Sequence, residues 1–235
     1  MFNLDTVPEV IIKTINYNNI DIVRDSVRPE TYVLFNKGLQ WMNFDKYTNK
    51  ELKEQYSHYD MAYGDILISG FGFGLAACWL ATKPEVKSVT VLEISQDVYD
   101  IFLLNNKLPN NVSVIITDAS EYKTDKHFDC VFLDHYEKEN FDWVVRNMRK
   151  IVSNIPNHDL FWFWPFEQRY ATVAYGIEGF NTSTTLWDTY IDFYKEYDHF
   201  KKNVLQIPTL PNLSKDKINE YVYTFSDRLG YSIPS

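Results

Sequence analysis

Cysteine is scarce: only Cys78 and Cys130 occur in 235 residues. A disulfide-stapled scaffold is excluded, and both thiols are expected to be reduced packing residues, one in a helix and one in a buried strand. Histidine is sparse too, with five scattered copies and no CxxC or HxxE spacing, so the spacing predicts no tight structural metal site. No apolar run approaches the roughly 18 residues of a membrane-spanning helix. With no secretory-type leader, the expected compartment is the cytoplasm. Basic clusters are limited to Arg146/Arg149/Lys150 and Lys201/Lys202, against a net charge of -9. Phosphate contacts need clustered Lys and Arg, so a nucleic-acid partner is not expected. The negative balance mildly favours cationic ligands such as a sulfonium or an amine.

Aromatic residues are abundant, with 17 Tyr, 16 Phe and 6 Trp. Such an excess fills a thick core first and lines a pocket for planar ligands second. The length suits one sizeable α/β domain with an appendage.

Residues 1–60 read as a small β layer followed by a linking helix. Val10-Ile11-Ile12 and Ile20 to Val23 are strand-like, and Thr31 to Phe35 and Leu39 to Met42 flank a hairpin turn at Asn36-Lys37-Gly38. Lys50 to His58 is polar and helix-prone. Residues 61–235 then alternate strands with helices. Asp65 to Ser69, Ser88 to Ile94, Val112 to Ile116, Phe128 to Leu133 and Leu160 to Trp164 read as five strands. Leu75 to Thr82 reads as a helix, and Ser95 caps another whose Val98, Ile101 and Phe102 share a face. Phe141, Val144, Val145, Met148, Ile151 and Val152 mark a further helix, with Thr185 to Lys202 helical and Tyr221 to Phe225 a candidate edge strand. This alternation predicts a Rossmann-like α/β fold, a mainly parallel sheet flanked by helices.

Gly70-Phe71-Gly72-Phe73-Gly74 falls between the first of these strands and its helix. Glycine there lets the chain turn sharply and approach a ligand closely, and the helix start offers N–H groups to an anion. Glu93 ends the second strand, 19 residues after Gly74, at the distance where a carboxylate accepts bonds from ribose hydroxyls. Asp118 ends the third strand, where it can meet an adenine amino group. Alone, each is an ordinary turn or surface carboxylate. Together, on successive strand ends beside a glycine turn, they mark one crevice.

These residues resemble the class I S-adenosylmethionine-dependent methyltransferase superfamily, including its spermidine synthase (aminopropyltransferase) branch. The resemblance runs from Gly64 to Trp164 through the GxGxG turn, Val91-Leu92-Glu93-Ile94, Asp118-Ala119 and Phe128 to Asp134. It implies that S-adenosylmethionine, or its decarboxylated form, is held by Gly70, Phe71, Gly72, Gly74, Glu93, Ile94, Asp118, Ala119 and Asp134. The hairpin from Tyr32 to Trp41 is similar to the β layer that precedes the aminopropyltransferase domain. That branch's acidic residue in the glycine loop is replaced here by Phe71 and Phe73, and its Asp-Ser-Ser-Asp-Pro segment by Asp134-His135-Tyr136-Glu137.

Methyl transfer from a sulfonium is an in-line displacement, so positioning dominates and a base need only remove an amine or hydroxyl proton. Asp134, Tyr136 and Glu137 are the catalytic candidates, with Asp134 as base or amine anchor. His135, able to titrate near neutrality, and Trp164, able to face an amine with its ring, are the substrate-binding candidates. The expected function is methyl transfer to a small molecule such as an amine, with a homodimer as one candidate assembly. Aminopropyl transfer is the enzymatic rival. A nicotinamide dinucleotide site, through Gly72-x-Gly74-x-x-Ala77, and a catalytically silent nucleoside-binding module are the others.

Overall fold

The computed structural model describes residues 8–45, 59, 62–135, 147 and 150–163. They form two sheets. The first is antiparallel, in the order β1 (Ile15–Tyr17), β2 (Ile20–Arg24), β3 (Thr31–Asn36) and β4 (Leu39–Asp45). The β3–β4 turn works as the sequence suggests: Asn36 pairs with Leu39, and Lys37 and Gly38 both take positive φ, at 49° and 78°. Two consecutive left-handed residues give the tight hairpin that matches strand twist. Val10-Ile11-Ile12 is not a strand, contrary to expectation. The backbone of Ile11 instead bonds the Asn106 side chain, N–H to Oδ1 at 2.8 Å and C=O from Nδ2 at 3.0 Å.

The second sheet holds β5 (Gly64–Ser69), β6 (Val86–Glu93), β7 (Val112–Ile116), β8 (Phe128–Leu133) and β9 (His158–Phe163). All four pairings are parallel, in the order β7-β6-β5-β8-β9. Counted from β5 this is the 3-2-1-4-5 arrangement of a doubly wound fold, whose order reverses between β5 and β8. The central strands are apolar because both faces are covered. Ile66, Leu67, Phe128, Cys130, Val131, Phe132 and Leu133 are fully buried.

Helix α1 (Leu75–Leu80) follows β5, and α2 (Gln96–Asn105) follows β6. Ser95 caps α2 by accepting the Val98 N–H at 3.3 Å. Val98, Ile101 and Phe102 turn inward from α2, each burial stabilising by about 1.5–3 kcal/mol. Ile20, Ile22 and Leu34 of the first sheet join the same apolar cluster. Phe44 meets Phe73 edge-on at 6.3 Å, and Asn18 bonds Asp97 at 2.7 Å. The antiparallel layer therefore lies over the glycine turn and α2.

The thiols of Cys78 and Cys130 are free and buried, and burial pushes them up to about 11 and about 12. Residues 150–154 are helical, with Ile151 and Val152 buried. The rest of that expected helix, the segment 50–58, the boundary at residue 60 and the elements expected beyond residue 164 lie outside the described residues. Among the described residues no helix is long and apolar enough to cross a membrane.

Candidate functional site

Parallel strands end together, so β5, β6 and β8 bring the glycine turn, Glu93 and Asp134 to one sheet edge. Gly70, Gly72 and Gly74 all adopt positive φ, at 89°, 51° and 77°. Gly72 needs glycine twice over, because a Cβ there would also collide with Met42 Sδ from β4. Met42 is a contact that spacing within the turn could not reveal.

Glu93 is 5% exposed and holds the turn together. Its Oε2 accepts the Phe71 N–H at 2.8 Å and its Oε1 accepts the Ser95 N–H at 2.7 Å. Burial raises its pKa, opposed by bonds from the Phe71, Ser95, Ile94 and Gly72 amides. The two short bonds fix the carboxylate's orientation, and the Ile94 and Gly72 amides are directed at it as well.

The turn's own amides are engaged as well. Gly70 N–H bonds Leu92 O at 2.8 Å, and Gly74 N–H bonds Phe71 O at 2.8 Å. The amides that the sequence offered to an anion at Gly70, Phe71 and Gly74 thus serve the turn itself. Phe71 is buried, stacked edge-on against Tyr99 and Phe102 at 5.6 and 5.0 Å. Its backbone borders the turn while its ring belongs to the core.

Ile94, immediately after Glu93, is 62% exposed. Asp118 lies two residues beyond the end of β7 rather than on it. It is exposed, accepts the Ser120 N–H at 2.8 Å, and precedes the buried Ala119.

Asp134 follows β8, and its N–H donates to Ser69 O at 3.1 Å and to Ser69 Oγ at 3.2 Å. Ser69, 1% exposed, also shares a hydrogen bond with His135 Nδ1, in which either group can donate according to the imidazole tautomer. Burial pushes the His135 pKa down to about 4, with the Asp118 charge pulling the other way. This departs from the expectation of titration near neutrality, because burial favours the neutral imidazole at pH 7. The Asp118 effect also shows that these two residues, 17 apart in sequence, share one region of the molecule. Tyr136, Glu137 and Trp164 lie outside the described residues.

A different cluster forms at the opposite sheet edge, where His127, Asp129 and Asp159 converge. Their separation in sequence hides them from any spacing rule.

No family model matches the sequence, and none of the curated proteins matches it. Solved structures that it resembles include a spermidine synthase from Thermotoga maritima, 15% identical with a TM-score of 0.42 over 58% of this chain and 60% of that one. A phosphoethanolamine N-methyltransferase from Haemonchus contortus, solved with phosphoethanolamine and S-adenosylhomocysteine, is 18% identical with a TM-score of 0.37 over 48% of this chain and 25% of that one. The CcbJ methyltransferase from Streptomyces caelestis is 18% identical with a TM-score of 0.37 over 46% and 47%. The chain spans between 49% and 61% of the length of the spermidine synthases it matches. The likeness to these spermidine synthases and methyltransferases is one of fold.

Proposed function

We propose that this chain is a transferase that uses S-adenosylmethionine to methylate a small molecule. The observation that carries the reading is one sheet edge at the reversal of strand order. There the glycine turn and a carboxylate fixed at Glu93 lie at the ends of neighbouring strands, with the exposed Asp118 two residues beyond the end of β7, where open α/β sheets bind nucleosides.

The residues fit the nucleoside. Glu93 would accept from a ribose diol in exchange for its longer amide bonds, Ile94 offers an exposed apolar surface beside it, and Asp118 can accept from an adenine amino group. When bound, S-adenosylmethionine supplies an electrophilic methyl group on a sulfonium. Asp134 would orient an amine acceptor or take its proton, with Tyr136, Glu137 and Trp164 as the further candidates. His135, buried and held neutral, would position an acceptor through hydrogen bonding rather than serve as base.

Aminopropyl transfer is the second reading, and two features favour it. The amides of Gly70, Phe71 and Gly74 are engaged within the fold, and a decarboxylated donor needs no carboxylate anchor there. An antiparallel layer also precedes the glycine turn and packs on it. Calorimetry with S-adenosylmethionine, its decarboxylated form and NAD in parallel separates the readings. Methyl transfer requires S-adenosylmethionine to bind at least as tightly as the decarboxylated form. A preference of about tenfold or more for the decarboxylated donor, 1.4 kcal/mol, selects aminopropyl transfer. Binding of NAD alone overturns both.

A further inference from the structure

The N-terminal edge of the parallel sheet, remote from the glycine turn, holds the second cluster of chemistry-bearing side chains. His127 immediately precedes β8, Asp129 is its second residue, and Asp159 is the second residue of β9. Phe128 pairs with His158 and Cys130 with Leu160, so the two aspartates are side by side on neighbouring strands. Like charges in that relation repel. One ligand atom from each of the three residues lies within 4.8 Å of the others.

The surrounding structure orients these carboxylates. Asp129 Oδ2 accepts the Asp65 N–H at 2.6 Å, and Asp159 Oδ2 faces the Tyr63 hydroxyl at 3.5 Å. The Oδ1 atoms of both turn toward the His127 ring, at 3.1 Å from Nε2 for Asp159 and 4.0 Å from Nδ1 for Asp129. Gly64, with φ of 66°, makes the arrangement possible, because a Cβ there would occupy the position of the Asp129 carboxylate. Metal sites are built this way, with one oxygen of each ligating carboxylate held by an outer donor and the other presented inward. Asp65 is not a fourth member, since Lys87 at 2.8 Å and Ser88 engage its carboxylate.

We propose that His127, Asp129 and Asp159 bind one divalent first-row transition ion, for which Zn²⁺ is the probe. One imidazole with two carboxylates suits such an ion, at about 2.0–2.2 Å from each donor atom. The 3.1 Å from His127 Nε2 to Asp159 Oδ1 already matches two ligands on one ion. Asp129 offers its ligand atom within 4.8 Å of the other two, so binding would draw the three donors together. The ion would neutralise the paired aspartates and clasp β8 to β9, leaving solvent-facing positions for water. It lies on the edge opposite the nucleoside site, so this inference stands whichever donor that site takes.

The test titrates the full chain, freed of metal with chelator, with Zn²⁺ alone. One ion should bind per chain, and the unfolding temperature should rise with Zn²⁺ concentration. Zn²⁺ should also slow modification of His127 by diethyl pyrocarbonate in the unaltered protein. His127→Ala and Asp159→Asn replace side chains that are 52% and 43% exposed, so both variants should fold. Each should weaken Zn²⁺ binding by about tenfold or more. Absence of binding, unchanged affinity in either variant, or no protection of His127 overturns the proposal and leaves the trio as a hydrogen-bonded tie between strands.

Discussion

Met42 and Gly72 decide together how closely the antiparallel layer can approach the glycine turn. A Cβ at position 72 meets the Met42 sulfur, and φ of 51° strains any L residue. Gly72→Ala should therefore destabilise the fold by about 1–3 kcal/mol, from crowding and strain combined. Met42→Ala in the same chain should recover the crowding part and leave the strain, so urea unfolding of the two single variants and the double should be non-additive. Strict additivity would mean that the sulfur can move aside freely. Glu93 makes a sharper case. Glu93→Gln keeps the shape but turns an NH₂ toward either the Phe71 or the Ser95 N–H, both of which need an acceptor. The turn should lose about 1–3 kcal/mol of stability, and nucleoside affinity, read by calorimetry, should fall with it. Unchanged affinity in a destabilised variant would confine Glu93 to holding the turn.

At the scale of elements, α2 links the two sheets, and its start depends on one hydroxyl. Ser95→Ala removes the acceptor of the Val98 N–H and should lower stability by about 1 kcal/mol. Ser95→Asp, which restores an acceptor, should recover most of that loss in the same thermal melts. This helix was legible in the sequence because its signals are local: a capping serine, then apolar residues three and four apart. The Lys37-Gly38 hairpin, the five parallel strands and the glycine turn with Glu93 were legible for the same reason. Val10-Ile11-Ile12 misled because an apolar triplet names no partner, and Asn106, 95 residues away, satisfies Ile11 as a neighbouring strand would. Strand β9 begins two residues early, at His158, because its pairing with Phe128 is set by β8 and not by its own composition. Met42 over Gly72, Ser69 on His135 and the trio His127, Asp129 and Asp159 were illegible together. Each is a contact between distant segments that only the topology creates.

Among the described residues one apolar cluster spans both sheets, and two ionisable groups beside the candidate site respond to it in opposite directions. Burial raises the Glu93 pKa above its ordinary 4.5, so the stabilisation from keeping Glu93 protonated is full at low pH and fades as pH rises through its folded value. His135 runs the other way. Its pKa drops from 6.5 to about 4, so between those values the unfolded chain binds a proton that the folded chain refuses. Stability then rises with pH through that window, and it is lost as pH falls from about 6.5 toward 4. The two slopes overlap above pH 4.5, so the profile of the unaltered protein does not isolate either group. His135→Asn does. It keeps an acceptor for the Ser69 hydroxyl and removes the titration. Urea midpoints between pH 7 and pH 4 should then fall less steeply in the variant than in the parent, with the gap between the profiles changing inside this window and constant above pH 7.5. Parallel profiles from pH 7 to pH 4 would mean that His135 takes up its proton as readily folded as unfolded, and the neutral imidazole beside Asp134 would have to be abandoned.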